Sequence, residues 1–392
     1  DVYVMNTCSV TNEAERKSGQ YVAKLKKLNP SAKIVVTGCA VEREKERFLK
    51  KGIDALIGTE DKSRIADIIE GFYNISDGIE ASESIDHILH ISDRYEEIEF
   101  STTSRSRNYI KIQYGCDRFC SYCIIPYVRG RSRSRAAERI LEELKSSHEN
   151  EIVLIGINLS AYGHDLGGSL TGLIRRIAEV APRVRLRLGS LETNVIDGEF
   201  LTALASLKNF CPHFHLSLQS GDDGVLKDMN RRYDTRTFRE KVELIRAFFD
   251  NACITTDIIV GFPTESEGGF LNSLRFAESI AFSDIHVFPF SAKKGTKAEA
   301  LKARVSDLEM KARVTFMTEL KRRLKRAYAE KNIGNTLRVL IEESANGHSS
   351  GYSENYLRTI LSEKIEVGTV VAAHALSVKE DNGEIVVIAK TI

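Results

Sequence analysis

The chain has 392 residues, of which 42% are hydrophobic and 28% are charged, and its formal net charge is +1. This length predicts two or three domains, and the composition is typical of a soluble globular protein. No run of 18 apolar residues is present, which excludes a membrane-spanning helix. The seven cysteines lack the spacing of a disulfide scaffold, so we expect a reducing, cytoplasmic location.

The first predicted unit, residues 1–75, alternates short apolar strands with helices. The strands are predicted at residues 2–6, 33–37 and 55–58. Helical periodicity falls between and after them, at residues 13–28, 42–50 and 62–71. Because this alternation is typical of a parallel sheet, we expect a small α/β domain. The polar, irregular residues 76–104 predict a linker.

The second predicted unit, residues 105–330, repeats the strand–helix alternation. Its six strands are predicted at residues 110–113, 151–156, 184–189, 213–218, 254–260 and 284–288. Six successive βα units predict an open (β/α)6 barrel with its site at the carboxyl ends of the strands. A helix at residues 306–331 then leads to residues 331–392, which are β-rich and divided by turns. That tail predicts a small β-barrel, a common RNA-binding format.

Three cysteines after the first barrel strand are the most informative feature of the chain. Cys116, Cys120 and Cys123 lie in the run Gly-Cys-Asp-Arg-Phe-Cys-Ser-Tyr-Cys. A 4Fe–4S cluster normally takes four thiolates, so three leave one iron open to a ligand from outside the protein. A closed zinc site normally has four ligands in paired spacing, and no second pair follows here. The spacing favours iron–sulfur over zinc, and a chance group of buried cysteines is the third interpretation.

Four cysteines lie outside that loop. Cys8 and Cys39 each follow a predicted strand of the first unit, so we expect both thiols at the same edge of the sheet. Taken alone, they are explained at least as well as small buried apolar residues. Cys211 and Cys253 have no cysteine near them in sequence, and we interpret both as packing residues.

Positive charge is concentrated in two segments of this nearly neutral chain. Residues 101–135 contain eight Lys or Arg against one acid, Asp117. Residues 311–338 contain nine against Glu319 and Glu330. Such segments predict surfaces that meet phosphate. For residues 321–326, a solvated helix face balanced by acids elsewhere is an equally good interpretation.

The chain resembles the radical S-adenosylmethionine (SAM) methylthiotransferases. The resemblance rests on the cysteine loop and its flanks, Tyr-Ile-Lys-Ile-Gln-Tyr-Gly before it and Tyr-Val-Arg-Gly-Arg-Ser-Arg-Ser-Arg after it. In that family the three-cysteine cluster binds SAM through its open iron and cleaves it to a 5′-deoxyadenosyl radical. The resemblance implies a radical SAM barrel between an N-terminal α/β methylthiotransferase domain and a C-terminal TRAM-like β-barrel. It also implies that Cys116, Cys120 and Cys123 are the catalytic cluster ligands.

The resemblance further implies which residues contact SAM. Segments ending the later strands match those that wrap SAM in the family, and Met229-x-Arg231-x-Tyr233 matches a motif near its active site. The implied contacts are Tyr122, Gly156, Asn158, Glu192, Gln219, Arg231, Val260 and Phe288. A single glycine after an apolar strand more often marks only a turn. The prediction therefore rests on the recurrence of such segments, in order, after successive strands.

A second 4Fe–4S cluster is also implied, because methylthiotransferases carry an auxiliary cluster on three N-terminal cysteines. Cys8 and Cys39 match two of them. The family places the third upstream of Asn-Thr-Cys, and no such cysteine precedes Cys8 here. We expect that a native N-terminal segment is missing and that this sequence alone holds the auxiliary cluster only weakly. In the family one SAM methylates sulfur and a second yields the radical that abstracts hydrogen.

The resemblance leans towards the branch that modifies threonylcarbamoyladenosine next to the anticodon of tRNA. Residues 7–18, 282–291 and 346–358 carry that likeness, while Thr264 departs from a usual glycine. The other branches modify isopentenyladenosine in tRNA or an aspartate of a ribosomal protein. A non-enzymatic alternative is an RNA-binding protein with structural metal. The partners expected are tRNA, SAM and a reductant such as flavodoxin or ferredoxin, and no membrane.

Overall fold

The computed structural model describes residues 1–9, 12–60, 62–72, 94–98 and 106–392. Most of the predicted linker, residues 76–104, therefore lies outside the described residues. The chain divides into two compact units. The first unit combines Asp1–Phe100, Tyr114–Arg133 and Ser291–Ala300. The second combines Ser101–Gln113, Ser134–Phe290 and Leu301–Ile392.

The first unit contains a three-stranded parallel sheet in the order β1-β2-β3. The strands and helices predicted from the sequence are present; they are β1 Val2–Thr7, α1 Asn12–Leu28, β2 Lys33–Gly38, α2 Cys39–Leu49, β3 Ala55–Ile57 and α3 Ile65–Gly71. Successive side chains of β2 point to opposite faces. Ile34 and Val36 therefore pack with Val22 and Phe48, whereas Val35 packs on the other face. A short helix, α4 Ile125–Arg129, also belongs to this unit.

The barrel strands form two sheets, in the orders β5-β4-β6-β7 and β8-β9-β10-β11. These strands are β4 Arg107–Tyr114, β5 Arg133–Ser134, β6 Glu151–Gly156, β7 Leu186–Leu188, β8 Ser190–Leu191, β9 His213–Gln219, β10 Cys253–Val260 and β11 Asp284–Pro289. The six predicted strands are present in the predicted order, with parallel pairing. The third is shorter than predicted and continues beyond Gly189 as β8. The carboxyl ends of parallel strands meet at one edge, which is where a site belongs.

Helices of the second unit cover the sheets. They are α5 Ala137–Ser146, α6 Leu170–Val180, α7 Gly198–Ala205, α8 Asp223–Asp228, α9 Thr235–Phe248 and α10 Glu267–Ile280. Several begin with a side-chain oxygen that accepts a hydrogen bond from a free backbone N–H of the first turn, as Asp234 does at α9 and Ser266 at α10. The apolar faces of these helices pack on one core that includes Phe200, Phe214 and Phe238.

The tail begins with a long helix, α11 Asp307–Glu330, and continues as five strands. The strands are β12 Thr336–Ala345, β13 His348–Tyr352, β14 Arg358–Leu361, β15 Val370–Asp381 and β16 Glu384–Thr391. They close into a barrel in the order β12-β13-β14-β16-β15. Leu337, Val339 and Val387 lie in its own core. No helix in the described part of the chain combines the length and apolarity needed to cross a bilayer.

A buried ionic cluster joins the sheet to the tail within the second unit. Glu151, with no exposed surface, accepts hydrogen bonds from Arg185 Nε at 2.6 Å and Arg187 Nε at 2.8 Å and pairs with Arg107 at 2.8 Å. Burial alone would raise the pKa of this carboxyl, but the arginines lower it to about 2. Arg187 also donates to the Ser353 carbonyl at 3.0 Å. The start of β6 is thereby tied to the C-terminal barrel.

Candidate iron–sulfur and cofactor site

The cysteine loop starts at a backbone position that only glycine tolerates. Gly115 has a φ of +74°, and a Cβ there would lie 1.8 Å from the Arg131 carbonyl oxygen. The next residue, Cys116, donates its backbone N–H to the Gly130 carbonyl at 3.1 Å. The start of the loop is therefore held against the turn that follows α4.

Two backbone features shape the loop that carries the cysteines. Phe119 adopts the left-handed region, with a φ of 49°, and the N–H of Cys123 donates to the Cys120 carbonyl at 3.0 Å. Cys120 is buried, while Cys116 and Cys123 are partly exposed. The N–H of Arg118 lies 3.5 Å from the Cys116 sulfur. Hydrogen bonds to sulfur are among the features that tune iron–sulfur clusters, so this donor set fits a cluster held by three thiolates.

Aromatic and ionic contacts brace the tip of the loop. The Phe119 and Tyr127 rings meet edge to face at 5.7 Å. The Arg131 guanidinium lies over the Phe119 ring at 5.0 Å and donates to Asp117 at 3.0 Å. Tyr122, one of the predicted SAM contacts, is a partly exposed residue of this loop.

The second pair of cysteines follows two neighbouring strands, as predicted. Thr7 and Gly38 are register partners in β1 and β2, so Cys8 and Cys39 leave the same edge of the sheet. Gly38 has a φ of +105°, and a Cβ there would lie 2.3 Å from the Thr7 carbonyl oxygen. Only glycine allows this close approach just before Cys39. Cys8 is exposed and Cys39 is buried.

An arginine links Cys39 to the helix after the cysteine loop. Arg129 Nε donates a hydrogen bond to the Cys39 sulfur at 2.9 Å. Burial would lower the pKa of Arg129, yet its pKa is raised because the Cys39 sulfur and the Tyr114 ring lie beside it. The guanidinium also lies over the Tyr114 ring at 5.2 Å. The sequence prediction assigned Arg129 to phosphate and missed this contact.

A buried lysine adds a second cation near Cys8. Lys293, 2% exposed, lies 3.3 Å from Glu15, which also pairs with Arg43 at 3.0 Å. Burial lowers the pKa of Lys293, although Glu15 and, more weakly, Cys8 act to raise it. Nothing in the sequence singled out this residue, since it lies far from every cysteine along the chain.

In the second unit, the structure brings two predicted SAM contacts together. Arg231 Nη2 donates to both carboxylate oxygens of Glu192, at 2.9 and 2.7 Å. The same nitrogen donates to the Ser217 carbonyl at 3.0 Å, and Arg231 Nε donates to the Tyr233 hydroxyl at 2.9 Å. The Met-x-Arg-x-Tyr motif therefore fixes the Glu192 carboxylate in one position.

The glycine segment after β6 packs closely against β4. The Asn158 N–H donates to Gln113 Oε1 at 2.7 Å, and a Cβ on Gly156 would lie 3.0 Å from the Gln113 side chain. A larger residue than Gly156 would push this side chain away. Gln219, at the end of β9, has a positive φ of 75°, and Val260 is buried at the end of β10.

Phe288, another predicted SAM contact, lines a cavity of about 480 Å³ in the second unit. His215, Asp257 and His286 line the same cavity. The sequence prediction named none of these three polar residues as a site residue, although Asp257 begins a segment that it matched to the SAM-wrapping segments of the family. They come from three different strands without a recognisable spacing, so no sequence signal could have grouped them.

Cys211 and Cys253 are buried packing residues, as predicted. Burial raises the pKa of Cys211 to about 11 and that of Cys253 to about 12, although nearby groups, Arg187 among them, pull both down. At neutral pH both are therefore thiols, not thiolates. Their chemistry differs from that of a cluster ligand, which binds as the thiolate.

The predicted phosphate-binding surfaces are wrong for Arg133 and Arg135 and are less free of acids than predicted along α11. In the run after the cysteine loop, Arg133 is buried against Glu60 at 2.6 Å, and Arg135 is buried against Glu143. Along α11, the interpretation with balancing acids is the right one for residues 321–326. The basic side chains there pair with acids elsewhere in the second unit, namely Lys321 and Lys325 with Asp284, Arg323 with Glu278, and Arg322 and Arg326 with Glu380.

Comparison with known proteins matches a family to each of the two regions that contain the predicted cysteine ligands. Residues 1–58, with Cys8 and Cys39, match a family described as uncharacterized protein family UPF0004. Residues 110–277, with the cysteine loop, match the radical SAM superfamily. A threonylcarbamoyladenosine tRNA methylthiotransferase of Chlamydia pneumoniae is 36% identical over 98% of this chain and 87% of its own length. One from Thermotoga maritima is 35% identical over 91% of this chain and 82% of its own length.

The chain belongs to the radical SAM methylthiotransferases. Membership implies a 4Fe–4S cluster and SAM as cofactors. Another branch is almost as similar: a tRNA-2-methylthio-N(6)-dimethylallyladenosine synthase of Thermotoga petrophila is 34% identical over 88% of this chain and 78% of its own length.

Solved structures support the fold of this methylthiotransferase. The radical SAM methyltransferase TsrM from Kitasatospora setae aligns with a TM-score of 0.56 over 89% of this chain and 68% of that one, at 13% identity. The radical SAM enzyme OxsB aligns with a TM-score of 0.52 over 82% of this chain and 48% of that one, at 14% identity. At such low identity these likenesses concern the fold alone.

Proposed function

We propose that this methylthiotransferase acts on threonylcarbamoyladenosine next to the anticodon of tRNA and converts a C–H bond to C–SCH3. The observation that carries the proposal is the similarity to enzymes named for this substrate, over nearly the whole chain. Replacing hydrogen at an unreactive carbon needs a radical, because that carbon has no acidic proton for general-base chemistry. The cysteine loop provides the ligands for radical chemistry.

Cys116, Cys120 and Cys123 would hold the radical SAM cluster. When bound, this cluster supplies the electron that cleaves SAM to a 5′-deoxyadenosyl radical. The protein contributes the arrangement: Gly115 fixes the start of the loop, and the N–H of Arg118 lies beside the Cys116 sulfur. Such a donor stabilises the thiolate form, which is the form that binds iron.

Side chains of the second unit would orient SAM. The Glu192 carboxylate, immobilised by Arg231, can accept hydrogen bonds from hydroxyl or ammonium groups of SAM. Because its side chain is already ordered, little conformational entropy is lost when SAM binds. The remaining proposed contacts are Tyr122, Gly156, Asn158, Gln219, Val260 and Phe288.

Cys8 and Cys39 would hold two corners of an auxiliary 4Fe–4S cluster. When bound, that cluster supplies or carries the sulfur that is methylated and transferred. Arg129 donates to the Cys39 sulfur, while Lys293 adds positive charge near Cys8. Positive groups of this kind offset the negative charge that thiolates and sulfide bring to a site.

The remaining parts of the proposal concern organisation and partners. We assign residues 1–75 to the methylthiotransferase domain, 76–104 to a linker, 105–330 to the radical SAM barrel and 331–392 to a TRAM-like RNA-binding domain. The closed five-stranded barrel of the tail supports the last assignment. The enzyme would work in the cytoplasm with tRNA and a reductant such as flavodoxin or ferredoxin.

The test is anaerobic reconstitution with iron, sulfide, SAM and a reductant, followed by mass spectrometry of tRNA nucleosides. We expect Cys120→Ala to abolish SAM cleavage, and Cys8→Ala to spare cleavage but stop thiolation. Cys253→Ala, a matched change of a buried packing cysteine, should retain both. Normal SAM cleavage in Cys120→Ala would contradict the assignment.

A second candidate substrate is dimethylallyladenosine in tRNA, favoured by the 34% identical relatives of that branch. The two substrates differ in polarity, since the threonylcarbamoyl group carries a carboxylate and the dimethylallyl group is apolar. Parallel reactions with tRNA bearing each modification separate the candidates. A methylthio product on dimethylallyladenosine alone would overturn the proposed substrate.

A further inference from the structure

Three ligand-type side chains converge inside the second unit. His215 lies on β9, Asp257 on β10 and His286 on β11, which are neighbouring parallel strands. Asp257 and His286 are direct register partners, and Thr255, two residues before Asp257, is paired with His215. One ligand atom of each residue lies within 4.8 Å of the other two. All three side chains line the cavity of about 480 Å³.

We propose that His215, Asp257 and His286 bind a divalent transition-metal ion of the zinc class. Two histidines and one carboxylate are a recurrent donor set for such ions, and the remaining coordination positions would open to the cavity. The site is separate from the cysteine ligands in residue type and in chain position. Metal binding at this site is independent of the proposed methylthiolation and of its substrate.

The spacing of the donor atoms supports a metal. His215 Nε2 and Asp257 Oδ2 are 3.3 Å apart. Metal–ligand bonds of about 2.0–2.1 Å at a tetrahedral angle put two donors about 3.3 Å apart. A direct charge-assisted hydrogen bond between the same groups would be shorter, about 2.7–2.9 Å. The observed separation fits two ligands around one ion.

The other ring nitrogen of His215 has a partner that orients the ring. Nδ1 lies 2.9 Å from the Thr255 hydroxyl, which in turn lies 3.0 Å from Nε2 of His213. When Nδ1–H of His215 donates to Thr255 and the hydroxyl donates to His213, Nε2 of His215 carries a lone pair. In that tautomer the lone pair faces a carboxylate oxygen of Asp257, and a metal ion between the two atoms can bind both. Metal-bound histidines commonly donate their second ring N–H in this way.

The two cationic side chains that line the cavity are paired with acids. Arg187 donates to Glu151, and Arg107 pairs with Glu151 and, at 3.1 Å, with Glu342. Glu151 and Glu342 therefore offset part of the positive charge near the trio.

The test measures zinc bound per chain in the cluster-loaded enzyme. Equilibrium dialysis against Zn²⁺ is followed by elemental analysis, which counts zinc separately from the iron of the clusters. The variants are Asp257→Asn, which keeps the side-chain shape, and His286→Gln, which changes an exposed ring. His148→Ala, a change of an exposed histidine outside the cavity, is the matched control. Circular dichroism checks that each variant is folded.

We expect the wild type and His148→Ala each to bind one zinc ion per chain. His286→Gln and Asp257→Asn should bind zinc more than about tenfold more weakly than the wild type does. Zinc should also raise the thermal unfolding midpoint of the wild type and not that of His286→Gln, because a ligand stabilises the state that binds it. If Asp257→Asn fails to fold, His286→Gln decides alone. Equal zinc affinity in His286→Gln and the wild type overturns the proposal, as does the absence of a zinc-dependent midpoint shift in the wild type.

Discussion

Replacing Glu151 by Gln should destabilise the second unit more than any single surface ion pair would. The substitution keeps the size of the side chain and an oxygen that accepts hydrogen bonds, but it removes the negative charge. Arg107, Arg185 and Arg187 would then keep their charges in a buried site without their shared carboxylate. Removing one partner from a buried ionic cluster is costly because the charges that remain are poorly solvated.

The pKa of Glu151 gives the size of the effect. Its folded-state value of about 2 lies below the usual 4.5. This difference corresponds to about 3 kcal/mol of stability at neutral pH. Because the folded-state pKa is the lower one, the contribution is fully present above pH 4.5 and is lost as the pH falls through 2. The difference between wild type and variant should therefore shrink by roughly 1 kcal/mol at pH 4.

Urea unfolding followed by circular dichroism measures this difference at pH 7 and pH 4. The matched control is Glu142→Gln, which removes a mostly exposed carboxylate that pairs with Arg139 on the same helix. It should cost less than about 0.5 kcal/mol. The reasoning fails if Glu151→Gln costs no more than Glu142→Gln, or if its cost is unchanged at pH 4.

Three further predictions concern the cofactor sites. Gly115→Ala should prevent loading of the radical cluster, seen as lower iron content after reconstitution, because its methyl group would meet the Arg131 carbonyl; normal loading would contradict this. Arg129→Gln should lower the reduction potential of the auxiliary cluster in an EPR-monitored titration, because a cationic donor to Cys39 is lost; an unchanged potential would argue against that contact. Arg231→Lys should raise the KM for SAM about tenfold in a SAM-cleavage assay, since one ammonium group cannot keep the contacts to Glu192 and Tyr233 that two guanidinium nitrogens make; an unchanged KM would remove Arg231 from the SAM site.

The regular parts of the fold were predictable because strands and helices alternate with clear periodicities. The third barrel strand was harder, since Gly189 interrupts it and the amide of that residue donates to the Leu154 carbonyl at 2.9 Å. In the tail, β13 His348–Tyr352 was not predicted as a strand, because His-Ser-Ser-Gly-Tyr lacks apolar alternation. Its place in the barrel is set by its neighbours in the sheet.

The cysteine sites were predictable to the extent that spacing and strand position define them. The charged residues were not, because a sequence shows where charges lie along the chain but not which acid meets which base. Arg133 and Arg135 were predicted at a phosphate surface and instead lie buried in ion pairs with Glu60 and Glu143. Likewise, the grouping of His215 with its two partners depends on strand register, which only the structure provides.

The contact between Arg129 and Cys39 has a consequence for domain exchange. The first compact unit is assembled from stretches far apart in the chain, and Thr59 also donates to the Val128 carbonyl at 3.2 Å. Swapping only the N-terminal hundred residues between branches would sever both links. A hybrid enzyme should therefore inherit residues 114–133 and 291–300 from the same parent as its amino terminus.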